Sequence, residues 1–216
     1  FFSSADASAA TEYILYVRPH GVSFWIFDWY YGIENNTQSK ANAALDIGIL
    51  QAKNSADMDF AVMWCNEDGL CEYTAAQLET LYGVLYEKYF TRQNYLKIGG
   101  RHVFAAAVPE KFANKIAGGE VTALSYLKNH AKKDGINLFF LAVSFGKEDE
   151  ALLNKLKTAG FDALTGYSYN TETVLDEKWV AGNKLHADYS SILPWLSGKY
   201  DYITKNPDKA PKLIPG

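Results

Sequence analysis

Asp59-Phe60-Ala61-Val62-Met63-Trp64-Cys65-Asn66-Glu67-Asp68-Gly69 decides the fold. Phe60, Val62 and Trp64 are β-formers inside a short apolar run, and together they predict a buried strand. The run breaks into Asn66, Glu67 and Asp68. Gly69 then predicts a turn, because a glycine backbone reaches conformations closed to other residues. A core strand that delivers an amide and a carboxylate at its C-terminal end has the site geometry of parallel α/β folds.

The same pattern stands earlier in the chain. Val22-Ser23-Phe24-Trp25-Ile26-Phe27-Asp28-Trp29-Tyr30-Tyr31-Gly32 is a long apolar run ending in a carboxylate among aromatic rings. Its uniform hydrophobicity predicts a strand covered on both faces, as in a parallel sheet. Further strands are expected at 102–108, stopped by Pro109, at 137–145 and at 161–167, with a sixth beginning at 212–216. Lys97-Ile98 before Gly99-Gly100 predicts a short extended piece and a turn. Between the strands, helices are expected over 6–18, 39–53, 74–90, 110–117, 121–133, 148–159 and 186–203. Thr74 supplies an N-cap, and Leu78, Leu81, Tyr82, Leu85 and Tyr89 form a buried stripe.

Strands alternating with helices require right-handed crossovers and a parallel sheet. A doubly wound open sheet would carry a glycine-rich phosphate loop after its first strand, and none follows Tyr31. An eight-stranded barrel takes about 250 residues, more than the 216 present. The fold class is therefore α/β: a partial (β/α)8, TIM-like barrel with five complete parallel strands and a sixth begun. Residues 1–216 contain no linker, so a single domain is expected, truncated at both ends. The start at Phe1 rather than methionine suggests that a leader or an upstream domain has been removed.

A net charge of -4 with no basic block argues against nucleic acid and anionic membrane as partners. No window holds the roughly 18 apolar residues of a membrane helix. Cys65 and Cys71 leave a disulfide open, and two cysteines cannot close a zinc site. No histidine pair has metal-ligand spacing, so neither metal nor cofactor is expected. Ser144 lacks the glycine-flanked elbow of a hydrolase triad. Asn35-Asn36-Thr37 matches the acceptor pattern for N-glycosylation.

Asp28 and Glu67 end consecutive strands, so a parallel barrel would set them on neighbouring positions of one rim. Carboxylates amid rings suit carbohydrate chemistry, either as an acid with a base or nucleophile or as acceptors for sugar hydroxyls. Trp29, Tyr30, Tyr31 and Trp64 flank the acids, and Tyr167, Tyr169 and Asn170 would reach the same rim from the fifth strand. His20 and His102 precede or start their strands and belong at the opposite, structural end.

Phe24-Trp25-Ile26-Phe27-Asp28-Trp29-Tyr30-Tyr31 resembles the aromatic strand of the glycoside hydrolase family 99-like (GH99-like) proteins, also called the WbsX-like group. Met63-Trp64-Cys65-Asn66-Glu67 resembles their next strand. Tyr95-Leu96-Lys97-Ile98-Gly99-Gly100-Arg101-His102-Val103-Phe104, followed by Pro109-Glu110, resembles a third segment, and Phe161-Asp162-Ala163 with Tyr167 a later one. The resemblance runs through nearly the whole chain in order. It implies a (β/α)8 barrel acting without metal on an oligosaccharide or polysaccharide, by endo-α-mannosidase-like cleavage, in an extracytoplasmic compartment. It also implies that the two catalytic glutamates belong to a segment such as Glu-Trp-His-Glu late in the barrel. No such segment precedes Gly216. Asp28, Trp29, Tyr30, Trp64, Asn66, Glu67, Tyr167 and Tyr169 accordingly become expected substrate-binding residues, with Glu67 the one candidate for a catalytic role. A non-catalytic sugar-binding protein of the same fold and a WbsX-type glycosyltransferase are the alternatives.

Overall fold

A computed structural model describes residues 4–144, 150–167 and 212–213. In chain order its strands are β1 (Phe24–Trp29), β2 (Tyr31–Gly32), β3 (Thr37–Gln38), β4 (Asp59–Trp64), β5 (Lys97–Ile98), β6 (Arg101–Ala106), β7 (Leu138–Ser144), β8 (Ala163–Gly166) and β9 (Lys212–Leu213). The α-helices are α1 (Ala7–Val17), α2 (Ala75–Leu85), α3 (Pro109–Ala113), α4 (Ala123–Lys132) and α5 (Glu150–Ala159). The main sheet runs β1-β4-β6-β7-β8-β9, and every pair along that path is parallel. This is the expected partial barrel: five parallel strands in sequence order, with a sixth begun beside β8. The helix expected at 186–203 lies outside the described residues, as do Tyr169 and Asn170.

The helices start and stop where local chemistry directs. Asp6 caps α1 by accepting from the Ser8 and Ala9 amides. Thr74 and Gln77 form a reciprocal capping box on α2, satisfying two donors that the first turn leaves open. The predicted stripe of α2 is buried throughout, and the helix continues as a π turn over Tyr86–Phe90. β5 turns back onto β6 through Gly99 and Gly100, both at positive φ.

Besides α3, which ends at Ala113 rather than at residue 117, four features differ from the sequence reading. The helix expected at 39–53 is a chain of short turns, 3-10 over Lys40–Asn42, π over Ala44–Gly48 and 3-10 over Ile49–Gln51. Its anchors are tertiary: Asp46 accepts from Tyr89 and Lys88, and a Cβ on Gly48 would stand 2.3 Å from the Ser4 carbonyl oxygen. Tyr31 and Gly32, read as the end of the first strand, instead pair with Thr37 and Gln38 in the antiparallel β2–β3 hairpin. Gly69 lies in a bend as expected, but its φ is not positive, so the turn does not need glycine. Finally, β1 is only partly covered, with Phe24 exposed and Trp25 to Asp28 intermediate. Among the described residues β1 pairs with β4 alone, so side chains flank it on one edge only.

Tyr95 shows how the sheet is held where its ladders part. The side chain is buried, and its hydroxyl donates to the Val103 carbonyl at 2.7 Å while accepting from the Val62 amide at 3.4 Å. It thereby satisfies one backbone group on each of β4 and β6 beside the register pair Val62–Phe104. Cys65 and Cys71 are both free thiols.

At the N-terminal end of the strands, Asp162 gathers three donors on one oxygen: Phe140 N at 2.9 Å, Lys128 Nζ at 2.8 Å and Arg101 Nη2 at 2.7 Å. It ties together β6, β7, α4 and the entry to β8. Burial by itself would raise the carboxyl pKa. Lys128 and Arg101 outweigh it, and the group is held below its ordinary value. A depressed folded pKa means that this stabilisation is fully present above the unfolded carboxylate range and is lost as pH falls from there through the lower folded value. Asp162→Asn should therefore lower stability at neutral pH by about 2 kcal/mol. The gap between variant and parent in urea midpoint should shrink in acid, and a gap that persists unchanged below pH 3 would refute the electrostatic account.

Candidate functional site

The parallel register sorts the side chains onto two faces. Asp28, Met63, Ala105, Leu141 and Ala163 are partners across successive strands and share one face. Trp29, Trp64, Ala106, Ala142 and Leu164 form the adjacent row on the other face. That second face meets the helices: Trp29 packs edge-on to Tyr89, and Trp64 edge-on to Phe112 of α3, at centroid separations of 6.0 and 5.8 Å. The Asp28 row therefore faces away from the helices, into the hollow of the half-barrel.

Across that hollow, the Tyr167 hydroxyl donates to Asp28 Oδ2 at 2.7 Å. The residues are 139 positions apart, at the ends of β8 and β1. Along a sheet those strands are four spacings of about 4.8 Å apart, roughly 19 Å. One tyrosine and one aspartate span the gap because the sheet is curled and both side chains lie on its concave face. The Asp28 carboxylate, first through its hydrogen bond and then through its charge, pushes the Tyr167 phenol up to about 12.

Two more groups join the rim from β1 and β4. Tyr30 is exposed, and its hydroxyl lies against the Cys65 thiol. Burial, then the charges of Asp28 and Glu67, push the Cys65 thiol up to about 11. Tyr30 is raised chiefly by Cys65, with burial and Asp28 adding to it. At neutral pH these groups are thus a protonated thiol and two protonated phenols, which can donate hydrogen bonds but are not nucleophiles. Glu67 is exposed and has no cationic partner among the described residues. The rim combines hydroxyl donors, two carboxylates and an exposed ring.

The structure brings Asp28, Tyr30, Glu67 and Tyr167 together and sets three other candidates apart. Trp29 and Trp64 are fully buried on the helix-facing side, where Trp64 Nε1 donates to the Tyr31 carbonyl at 3.0 Å. Asn66 is also fully buried. Its Oδ1 accepts from Val108 N at 2.7 Å, and its Nδ2 donates to Val108 O and to the Tyr73 hydroxyl, each at 3.1 Å. It joins the end of β4 to the end of β6 and leaves Glu67 as the outward residue of the pair.

Sequence reasoning did not find the residues that hold this rim. Asn42 is buried and imitates a strand, accepting from Tyr30 N at 2.9 Å and donating to Tyr30 O at 3.0 Å. Lys111 of α3 pairs with Asp68 at 2.7 Å and also donates to its carbonyl, fixing the loop after β4 to the one after β6. The Asp68–Lys111 link is foreshadowed by both residues following strand ends on neighbouring strands. Asn42 carries no comparable signal, since its partner is backbone twelve residues away.

No protein-family model and no curated protein matches the sequence. Solved structures do. The GH99 endo-alpha-mannosidase from Bacteroides thetaiotaomicron in complex with bis-tris propane superposes with a TM-score of 0.57 at 15% identity, over 99% of this chain and 57% of that one. A "glycoside hydrolase-like protein" gives 0.63 at 12% identity, over 99% and 63%. A second structure of the Bacteroides enzyme gives 0.54 at 14%, over 85% and 53%. The chain thus spans between half and two thirds of the length of these structures. At such identities the likeness establishes the fold: this chain has the architecture of the GH99 barrel. No helix among the described residues is long and apolar enough to cross a membrane.

A phenol whose pKa is raised stabilises the folded chain fully below its ordinary value of about 10. The contribution is lost as pH rises through the folded value of about 12. Asp28→Asn removes the two largest causes of the shift and leaves burial, Tyr30 and Cys65, so Tyr167 should then titrate lower than in the parent, toward its ordinary value. Ring-labelled tyrosine NMR would follow it directly. A resonance still titrating near the parent value in the variant would mean that Asp28 is not the group responsible.

Proposed function

We propose that the chain is the carbohydrate-binding part of a glycan-active barrel related by descent to glycoside hydrolases, with a mannose-type oligosaccharide as its ligand. The observation that carries this reading is the Tyr167–Asp28 hydrogen bond across the mouth of the half-barrel, beside the exposed Glu67 carboxylate and the exposed Tyr30 ring. The rim offers paired acceptors, donors and an aromatic face at the strand ends, where barrels of this type place ligands. The likeness to an endo-alpha-mannosidase supports the choice of sugar.

Within this reading Asp28 and Glu67 accept hydrogen bonds from sugar hydroxyls. Among the described residues, Asp28 keeps lone pairs free after receiving Tyr167, and Glu67 keeps all of its own. A hydrogen bond to a charged group contributes about 1.5–3 kcal/mol. Glu67→Ala should therefore weaken binding of an α-linked mannotriose about tenfold or more, measured by calorimetry on the 216-residue chain. Unchanged affinity in a folded variant would remove Glu67 from the site.

Turnover is a separate matter. Hydrolysis needs an acid and a second carboxyl group held at a defined separation across the scissile bond. The resemblance to the WbsX-like group assigns those groups to a later segment, and a domain completed by further strands follows from the same resemblance. The 216-residue chain should accordingly leave an aryl α-mannoside and an oligomannoside intact. Hydrolysis by this chain that Glu67→Gln abolishes would instead make Glu67 catalytic. A sugar-binding protein without turnover is the second reading, supported by the protonated thiol and phenols at the rim, which can donate hydrogen bonds but are not nucleophiles. A nucleotide-sugar transferase is less well supported: Lys111, a cation at this rim, is engaged by Asp68 rather than available to a diphosphate.

A further inference from the structure

Beside the rim lies a cleft that the sequence did not announce, because the β2–β3 hairpin builds one of its walls. Its volume is about 290 Å³, and Tyr30, Thr37, Gln38, Ser39, Cys65 and Asp68 line it. That size lies just below the usual range for small-molecule sites, which start at about 300 Å³. It suits one saccharide ring rather than a chain. Tyr30 and Cys65 belong both to this cleft and to the cluster around Asp28 and Glu67, so the two spaces adjoin.

The hairpin wall is held in place by its own contacts. Tyr31 OH donates to Asn36 Oδ1 at 2.7 Å, and Asn36 takes positive φ at the tip. A Cβ on Gly32 would stand 2.7 Å from Asn35 Oδ1, so a side chain there would displace the Asn35 carboxamide that lies against the hairpin. Lys88 Nζ donates to Gln38 Oε1 at 2.6 Å, which fixes the carboxamide and leaves its NH2 group as a donor. The Ser39 Oγ accepts from Ala41 N at 3.1 Å and keeps its own proton to donate. Facing this wall is the ring of Tyr30, which is 41% exposed while its backbone is clamped by Asn42.

We propose that this cleft is a second saccharide subsite, holding the sugar unit next to the one bound at Asp28 and Glu67. The inference rests on the glycan reading and extends it. One ring of an oligosaccharide stacks on Tyr30, and its hydroxyls accept from Gln38 and Ser39. A charged or nucleotide ligand does not match the cleft, since its one carboxylate is paired with Lys111 and Lys88 at its margin is held by Gln38 and Asp46. The chemistry fits a neutral polyhydroxylated ring.

The test compares methyl α-mannoside with α-linked mannotriose by calorimetry on the parent chain, Gln38→Ala and Ser39→Ala. The parent should bind mannotriose at least tenfold more tightly than the monosaccharide. Gln38→Ala, on the exposed hairpin, should remove most of that gain and leave methyl α-mannoside affinity unchanged. Ser39→Ala serves as a second variant, with a smaller loss in the same direction. In the parent, the Gln38 side-chain amide resonances should move on adding mannotriose and stay still with the monosaccharide. Equal affinity for both sugars, or a chain-length gain intact in both folded variants, overturns the subsite while leaving the primary site standing. If neither sugar binds the parent, the glycan reading itself fails and the subsite falls with it.

Discussion

The parallel register from Asp28 through Met63, Ala105 and Leu141 to Ala163 is the constraint on which the rest of this molecule depends. Because side chains alternate along a strand, a one-residue slip would exchange the two faces. Trp29 and Trp64 would then stand in the hollow, and Asp28 would be driven against Tyr89 and the helices. The large rings on the helix side make such a slip expensive. Phe112, for example, lies within 6.1 Å of the rings of Trp64, Tyr73, Phe104 and Phe140. Packing on one face thereby places the polar groups on the other.

The two ends of the strands treat their carboxylates in opposite ways. At the N-terminal end Asp162 is neutralised by Lys128 and Arg101 and stitched to the Phe140 backbone. At the C-terminal end Asp28 receives only a neutral phenol, and Glu67 has no cationic partner among the described residues. Negative charge gathered without counter-charge destabilises a fold, and proteins retain such arrangements mainly where a ligand uses them. Among the described residues, the open acceptors at one rim and the closed network at the other support the proposed site more clearly than either residue does alone.

The rim is also supported from behind. Asn66 locks the end of β4 to Val108, Asn42 clamps Tyr30, and Lys111 holds Asp68. These contacts use buried or half-buried polar groups whose hydrogen bonds are made inside the protein, so the exposed residues they carry are held in place before any ligand arrives. The asparagine that the sequence offered as a ligand contact is, in its place, the support for the glutamate beside it.

The apolar runs at 59–64 and 24–29, the capping box at Thr74 and Gln77, the stripe on α2 and the glycine turn at 99–100 could all be read from the chain itself, because each depends on residues close together in sequence. Strand order and parallel direction followed from the alternation of elements, since short crossovers allow few topologies. The position of Asp28 and Glu67 at one rim followed in turn. Which neighbour of each acid faces the hollow was a different kind of question. Trp29, Trp64 and Asn66 carry the same aromatic or polar character as Tyr30 and Glu67, and only packing against Tyr89, Phe112 and Val108 assigns them inward. The Tyr167–Asp28 link, the Asp162 clamp, the Asn42 clasp and the hairpin cleft join residues that no local pattern connects. They exist because the sheet curls, and curvature is a property of the assembled strands rather than of any one segment of the sequence.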